Sequence, residues 1–126
     1  MAQVTARTER TIDAPVDRVR AALADYETVR PTILTEHYRD YRVEAGGQGA
    51  GSRVHWLLQA TKKRVRDQLV EVSVPSPERI VEQDTHSSMV TTWTVTPAGA
   101  DRSVVAVESS WTGAGGIGGF FERTFA

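Results

Sequence analysis

Side chains that could carry acid–base or metal chemistry are few and widely spaced in this chain. The three histidines, His37, His55 and His86, form neither an HxxxH nor an HExxH spacing, so no metal site is predicted. Histidine is the usual proton carrier near neutral pH. His55, however, is out of phase with Trp56 in its strand pattern, which places it on the outer face or in solvent. Ordinary surface histidines are expected, and no catalytic residue is predicted.

Two pairs of carboxylates lie on neighbouring strand patterns, Asp67 with Glu71 and Glu82 with Asp84. Each pair alternates with apolar residues, so all four side chains are expected to face water. Any one of them turned inward would be a candidate general acid, because burial disfavours the charged carboxylate and raises its pKa.

Arg66 and Gln68 are the better candidates for polar groups inside the fold. They share strand parity with Val70 and Val72, and residues two apart lie on the same face of a strand. An inward arginine or glutamine suits the carbonyl or carboxylate of a bound molecule.

Gly113-x-Gly115-x-x-Gly118 matches the spacing of a dinucleotide-binding loop. No second strand follows it, and no acidic residue lies about twenty positions further on, so the βαβ context that such a loop needs is missing. A glycine hinge at 113–119 is the favoured interpretation, and no cofactor is predicted.

Composition excludes several classes of protein. The 126 residues carry a formal net charge of -1, which gives no general attraction to nucleic acid. There is no cysteine, hence no disulfide framework and no thiol nucleophile. No apolar run approaches the ~20 residues of a membrane span, and the first seven residues are too polar for a signal peptide. One cytoplasmic domain, 1–126, is expected, whose oligomeric state is left open.

The periodicity predicts a strand, two short helices and then six strands. Asp13 and Pro15 indicate a helix start, with Asp13 as a cap for a helix reaching Asp25, and Pro31 limits a second helical piece at 26–34. Short turns between the later strands favour antiparallel pairing. The predicted strands are Gln3–Ile12, Tyr38–Ala45, Arg53–Thr61, 65–74, Arg79–Asp84, 89–96 and Ser103–Thr112.

This order indicates an α+β fold in which a seven-stranded antiparallel sheet curls and needs a cover on its concave face. After the glycine hinge, Phe120 and Phe121 lie on one side of a helix pattern that stops at Ala126. That C-terminal helix is the expected cover, and it is expected to be truncated.

Three tryptophans lie on three different strands of this sheet. Trp56 shares parity with Val54 and Leu58, Trp111 shares parity with Val107, and Trp93 is placed on the same concave side. The side chains either form core or line a cavity between sheet and helix; the pattern leaves both open.

Five segments resemble the START-like (SRPBCC) superfamily, in its bacterial polyketide cyclase/dehydrase-like branch. They are Ile12-Asp13-Ala14-Pro15-Val16 with the residues up to 19, the segment 23–26, the turns 49–53 and 74–79, and the strand end 93–97. The resemblance covers essentially the whole chain. It implies a helix-grip fold, in which a curved sheet holds a C-terminal helix over an apolar cavity, and it implies binding of lipids, polyketides or similar molecules.

The leading hypothesis is therefore binding of a small hydrophobic molecule without chemistry, with Gln68 or Arg66 orienting its polar end. A cyclase or dehydratase using the same cavity is the second hypothesis, and a protein-interaction module with an open groove is the third. The residues expected to contact the ligand are Trp56, Leu58, Arg66, Gln68, Trp93, Val95, Val107, Trp111, Phe120 and Phe121.

Overall fold

The computed structural model describes residues 3–34 and 36–112. The predicted glycine hinge and C-terminal helix, with Phe120 and Phe121, lie outside the described residues. Within them the chain forms seven strands and two helices: β1 (Gln3–Ile12), α1 (Val16–Ala24), α2 (Arg30–Ile33), β2 (Tyr38–Ala45), β3 (Arg53–Thr61), β4 (Arg64–Ser76), β5 (Arg79–Asp84), β6 (Val90–Pro97) and β7 (Ser103–Thr112).

The strands form one antiparallel sheet in the order β1-β7-β6-β5-β4-β3-β2. Consecutive strands from β2 to β7 are neighbours because their connections are too short for a crossover. Strand β1 closes the order by pairing with β7 along its whole length, from Gln3 with Thr112 to Ile12 with Ser103. This arrangement makes β5 the central strand, so its inward side chains lie over the middle of the concave face.

Alternation along the strands separates a buried face from an exposed one. The three tryptophans are all on the buried face, as their parity predicted, with Trp56 7%, Trp93 8% and Trp111 4% exposed. Register shifts interrupt the pairing of β2 with β3, β3 with β4 and β4 with β5. Such irregularities bend strands and allow a long sheet to curve.

Both helices lie on the concave side of the sheet. Val19 and Leu23 of α1 are buried in the main hydrophobic cluster, as their spacing on one helical face requires. The predicted Asp13 cap is wrong: α1 begins after Pro15 with no side-chain cap. Asp13 instead pairs with Arg102, whose Nε lies 2.9 Å from the Asp13 carboxylate. The second helix is shorter than predicted and spans only Arg30–Ile33.

The turn between α1 and α2 is held by Asp25. Its carboxylate accepts hydrogen bonds from the backbone of Glu27 and Thr28, from the Thr28 hydroxyl and from the Gln48 amide. These bonds, with the Thr28 hydroxyl first, lower the pKa of Asp25 to about 2. The backbone N–H of Tyr26 donates to Gly47 at 2.9 Å. The turn therefore holds Tyr26 in a defined position, directly before the start of α2 at Arg30.

Candidate functional site

A cavity of about 640 Å³ lies between the concave face of the sheet and the two helices. Most of its wall is apolar and comes from the inner faces of α1 and α2, from the ends of β1 and β2, and from the later strands of the sheet. The apolar lining consists of Ile12, Ala14, Val19, Ala22, Leu23, Val29, Ile33, Leu34, Tyr38, Trp56, Val70, Met89, Trp93, Val105 and Val107.

Four of the side chains expected to contact a ligand lie on this wall: Trp56, Gln68, Trp93 and Val107. The described lining does not include Leu58, Arg66, Val95 or Trp111. Leu58 and Val95 are 0% and 1% exposed and, with Trp111, belong to the hydrophobic core. Arg66 lies opposite Leu58 near the β3–β4 hairpin. Strand parity predicts which face of the sheet a side chain lies on, but not whether that side chain packs in the core or borders the cavity. Only some of the predicted ligand contacts therefore line the cavity.

The most unusual polar group at the wall is formed by Arg30 and Glu82, which line the cavity, and by Tyr26, which lies outside the lining; we call the three the inner carboxylate cluster. The Tyr26 hydroxyl and the Arg30 Nη2 each donate to Glu82 Oε2 at 2.5 Å. Arg30 Nη1 donates to the backbone carbonyl of Leu23 at 2.8 Å. Tyr26, Arg30 and Glu82 are 0%, 3% and 4% exposed. A carboxylate is thus held at the middle of the sheet by two donors from the helical side.

Aromatic rings complete the surroundings of Arg30. Its guanidinium carbon lies 4.5 Å from the centre of the Tyr26 ring and 4.7 Å from the centre of the Trp93 ring. Both distances fall within the range of cation–π contacts, which are strongest where water is excluded. The cation is therefore stabilised by ring faces as well as by Glu82.

Burial and neighbouring charges shift the pKa values of Tyr26 and Arg30. Removal from water, with the nearby Glu82 charge second, raises the pKa of Tyr26 far above its ordinary value. Burial is the largest single effect on Arg30 and lowers its pKa, but the Glu82 carboxylate, together with smaller contributions from Tyr26 and Tyr41, outweighs burial, and the net pKa is raised. Tyr26 thus remains a hydrogen-bond donor and Arg30 a cation at physiological pH. An ion pair this deeply buried is stable only when both partners are present.

The prediction that Glu82 and Asp84 face water is wrong. Both are 4% exposed and both line the cavity. Ile80 has the same parity and is 2% exposed, so β5 turns the whole set Ile80, Glu82 and Asp84 inward. In the sequence, the apolar residue Ile80 two positions before Glu82 was the one sign that this face of β5 is buried. No local pattern marks Arg30, because its partner lies 52 residues further along the chain.

Asp84 has a structural role in the turn after β5. Its carboxylate accepts from the backbone N–H groups of Leu69 and His86 at 3.1 and 3.2 Å and from the Ser87 hydroxyl at 2.6 Å. These donors occupy both oxygens. A carboxylate satisfied in this way fixes the loop that leads to Met89 on the cavity wall.

Gln68 presents an amide to the cavity in a fixed orientation. The Trp56 indole N–H donates to Gln68 Oε1 at 2.8 Å, which identifies the oxygen because an indole has no acceptor. Gln68 Nε2 lies 3.3 Å from the Met89 sulfur, a weak acceptor. The amide N–H₂ therefore retains capacity to donate to a stronger acceptor such as a ligand carbonyl.

Tyr38 and Tyr41 support Trp56 from β2. The Tyr38 ring meets the Trp56 ring edge-on at 5.8 Å, and the Tyr41 ring stacks on it at 6.1 Å. The Tyr41 hydroxyl donates to the backbone carbonyl of Tyr26 at 2.6 Å, which joins β2 to the turn before α2. Burial raises the pKa of Tyr41 to about 12 and raises that of Tyr38 further.

The most exposed apolar part of the described lining lies at the end of β1 and in α2. Ile12 and Ile33 line it and are nevertheless 37% and 51% exposed. Arg10 and Arg18 belong to the same rim of the lining, and neither has an ion-pair partner among the residues that the structure describes. The rim thus combines exposed apolar side chains with the cations of Arg10 and Arg18 and with the carboxylate of Glu9, which pairs with Arg7.

A second acid–base cluster lies on the opposite face of the sheet, and we call Asp67 with His55 and His86 the outer carboxylate cluster. Asp67 Oδ1 lies 2.7 Å from His55 Nε2 and 3.3 Å from His86 Nδ1. The Asp67 backbone carbonyl accepts from His86 Nδ1 at 2.8 Å, which is the main cause of the raised pKa of His86. His37 lies in the turn before β2. Across residues 3–34 and 36–112, no group of three metal-ligating side chains is found.

A curved seven-stranded antiparallel sheet with two short helices after the first strand, enclosing a cavity, defines a protein of the START-like helix-grip class. Within that class, the family described as polyketide cyclase / dehydrase and lipid transport matches residues 3–126, and the chain belongs to it. A comparison with curated protein sequences gave no match. None of the described helices is long and apolar enough to cross a membrane.

Solved structures agree with this assignment. The KanY protein, studied by NMR in solution, is 52% identical over 100% of this chain and 86% of its own, with a TM-score of 0.84. The Zhui aromatase/cyclase from Streptomyces sp. R1128 is 14% identical over 98% and 84%, with a TM-score of 0.69. A START superfamily protein from Mycobacterium smegmatis is 12% identical over 86% and 76%, with a TM-score of 0.65. The last two similarities establish the fold.

Proposed function

We propose that this protein binds a small hydrophobic molecule, lipid or polyketide-like, in the cavity between the sheet and the helices. The observation that carries the proposal is a mostly apolar cavity of about 640 Å³. Small-molecule sites typically enclose ~300–1,000 Å³ and combine apolar walls with a few placed polar groups. Trp56, Trp93 and Val107 supply apolar surface, and the fixed amide of Gln68 supplies a donor for a carbonyl.

The proposal needs no cofactor and no reaction. The polar groups of the wall are held mainly by each other, with Trp56 on Gln68 and with Tyr26 and Arg30 on Glu82. Preorganised groups of this kind lose little entropy when a ligand arrives. These polar groups would orient a bound ligand in an otherwise apolar site.

Native mass spectrometry of the purified protein tests the proposal, with a titration by 2-methoxynaphthalene as a neutral apolar probe. A retained small-molecule mass that leaves on denaturation, or saturable probe binding, is the expected result.

Two neighbouring valines provide matched variants for this titration. Val105 lines the cavity, whereas Val104 is outside the lining; both are partly buried and adjacent on β7. Val105→Phe should fill part of the cavity and weaken probe binding at least several-fold, while Val104→Phe should not. Equal affinity of the two variants for 2-methoxynaphthalene, or no binding of it by the unmodified protein, would contradict the proposal.

The inner carboxylate cluster favours a second candidate function, a cyclase or dehydratase acting in the same cavity. Glu82 has the chemistry of a general base, and Tyr26 has that of a donor beside it. The structurally similar Zhui protein is described as an aromatase/cyclase. Proton abstraction next to a carbonyl would transfer that proton to Glu82 and leave an enolate on the substrate.

Deuterium exchange tests this second function. The α-protons of 2-tetralone in D₂O should exchange faster with the protein than in buffer, as followed by NMR. Glu82→Gln should abolish the acceleration, and Glu71→Gln, on the exposed face of β4, should retain it. Exchange at the buffer rate would leave binding alone.

Two expectations depend on residues beyond the described ranges and stay predictions. One is the interaction module with an open groove, which requires the arrangement of residues 113–126. The other is the single domain over 1–126, in which Phe120 and Phe121 contact the ligand.

A further inference from the structure

Only one of the two carboxylate oxygens of Glu82 accepts hydrogen bonds from the described residues. Oε2 accepts both the Tyr26 hydroxyl and Arg30 Nη2 at 2.5 Å. Oε1 accepts no hydrogen bond from residues 3–34 or 36–112, although Glu82 lines the cavity and is only 4% exposed. Oε1 is not one of the side-chain atoms that are sealed from solvent without a partner, so it is open to the cavity, where a donor on a bound molecule can reach it.

The cation of the cluster is not available to a ligand in the same way. Arg30 Nη2 and Nη1 are committed to Glu82 and to the Leu23 carbonyl, and the guanidinium lies over the rings of Tyr26 and Trp93. Arg30 Nε is sealed from solvent and meets no acceptor among the described residues. The cluster therefore presents an acceptor to the cavity rather than a donor or a positive charge.

We infer that Glu82 Oε1 selects ligands whose inner end carries a hydroxyl donor, such as a neutral phenol or alcohol. This inference rests on the proposed function and assigns Glu82 as its specificity-determining residue. A hydroxyl would donate to Oε1 without displacing Tyr26 or Arg30. An ether of the same size would leave Oε1 unsatisfied, and a carboxylate would place two negative groups together in a low-dielectric site.

A pair of matched probes tests the inference by fluorescence titration. 2-Naphthol and 2-methoxynaphthalene share one ring system and one oxygen, and only the naphthol has a donor. Hydrogen bonds to charged groups correspond to a preference of roughly 10-fold or more for the naphthol. Equal affinity of the two probes would overturn the inference while leaving the proposed function intact, and binding of neither would overturn both.

Glu82→Gln sharpens the test because its amide keeps the shape of the carboxylate. With its oxygen accepting from Tyr26 and Arg30, the amide N–H₂ would face the cavity as a donor, so the preference for naphthol should disappear or reverse. Glu71→Gln, outside the cavity, should leave the preference unchanged. An unchanged preference in Glu82→Gln would contradict the inference.

A second variant covers the case in which Glu82→Gln fails to fold. Replacing both charges by Arg30→Met with Glu82→Leu leaves no unpaired ion, a change that buried pairs often tolerate. The double variant should bind both probes with similar affinity. A naphthol preference that persists in it would also contradict the inference.

Discussion

The inner and outer carboxylate clusters place the same chemical group, a carboxylate with two partners, on opposite faces of one sheet. In the inner cluster Glu82, Tyr26 and Arg30 are all less than 5% exposed. In the outer cluster the side chains of Asp67, His86 and His55 are 57%, 46% and 13% exposed. Water reaches the carboxylate of the outer cluster freely and that of the inner cluster hardly at all.

This difference teaches that position within the sheet, and not residue type, decides what a carboxylate does here. On the exposed face, high dielectric and salt reduce an ion pair to a small local effect. On the concave face, each partner is required to offset the desolvation of the other. The inner cluster is therefore the place where losing one partner should destabilise the fold most, and it is the group that we propose to select the ligand.

Breaking the inner pair should have the largest effect. Arg30→Met leaves Glu82 buried without its cation and is expected to lower the free energy of unfolding by about 3–5 kcal/mol. Urea unfolding followed by tryptophan fluorescence measures the change. The double variant Arg30→Met with Glu82→Leu should recover part of it, because no ion is then left unpaired. A decrease in the free energy of unfolding below about 1 kcal/mol in the single variant is typical of an exposed ion pair. That result would contradict the proposed difference between the two clusters.

Raising the pH above 10 should destabilise the fold through its three tyrosines. All three tyrosines of the chain, Tyr26, Tyr38 and Tyr41, have pKa values raised by burial from the ordinary 10.0. The folded chain retains tyrosine protons that the unfolded chain releases, so the tyrosines' contribution to stability is fully present below pH 10 and is lost as the pH rises above it.

Tyrosinate absorbance and circular dichroism, recorded together against pH, check this prediction. Phenolate should appear only as the fold is lost. Ionisation near pH 10 with the circular dichroism unchanged would mean that the tyrosines are open to water.

The smallest effect should come from the outer cluster. The Asp67 carbonyl and carboxylate raise the pKa of His86, so this contribution to stability is present below pH 6.5 and fades as the pH rises through the raised value. Asp67→Asn removes the charge and should lower the pKa of His86, measured by NMR titration. The urea midpoint at neutral pH should hardly move, and a large shift there would show that the outer cluster is more than a surface feature.

Sequence reasoning located the strands well because each buries one face against one core. Five of the seven predicted strands have the observed bounds, and β4 and β6 differ by one or two residues at each end. Trp56 and Trp111 were placed on the concave side by the parity of their apolar neighbours, and Trp93 was placed with them. Periodicity predicts a strand well when every second side chain is buried on the same face of the sheet.

The inner cluster escaped sequence reasoning for physical reasons. Charged residues on an alternating strand are ordinarily solvated, so Glu82 was assigned to the outside although Ile80 shares its face. The partner that permits its burial, Arg30, comes from a four-residue helix far away in sequence. Pairing over such a distance depends on the assembled fold, which no local pattern encodes.

The most direct test of the cavity as a binding site is the set of intermolecular nuclear Overhauser effects between bound 2-naphthol and the valine methyl groups. The proposal predicts contacts to Val70, Val105 and Val107, which line the cavity. Contacts restricted to Val65 and Val74, which are 45% and 39% exposed and lie outside the lining, would contradict it.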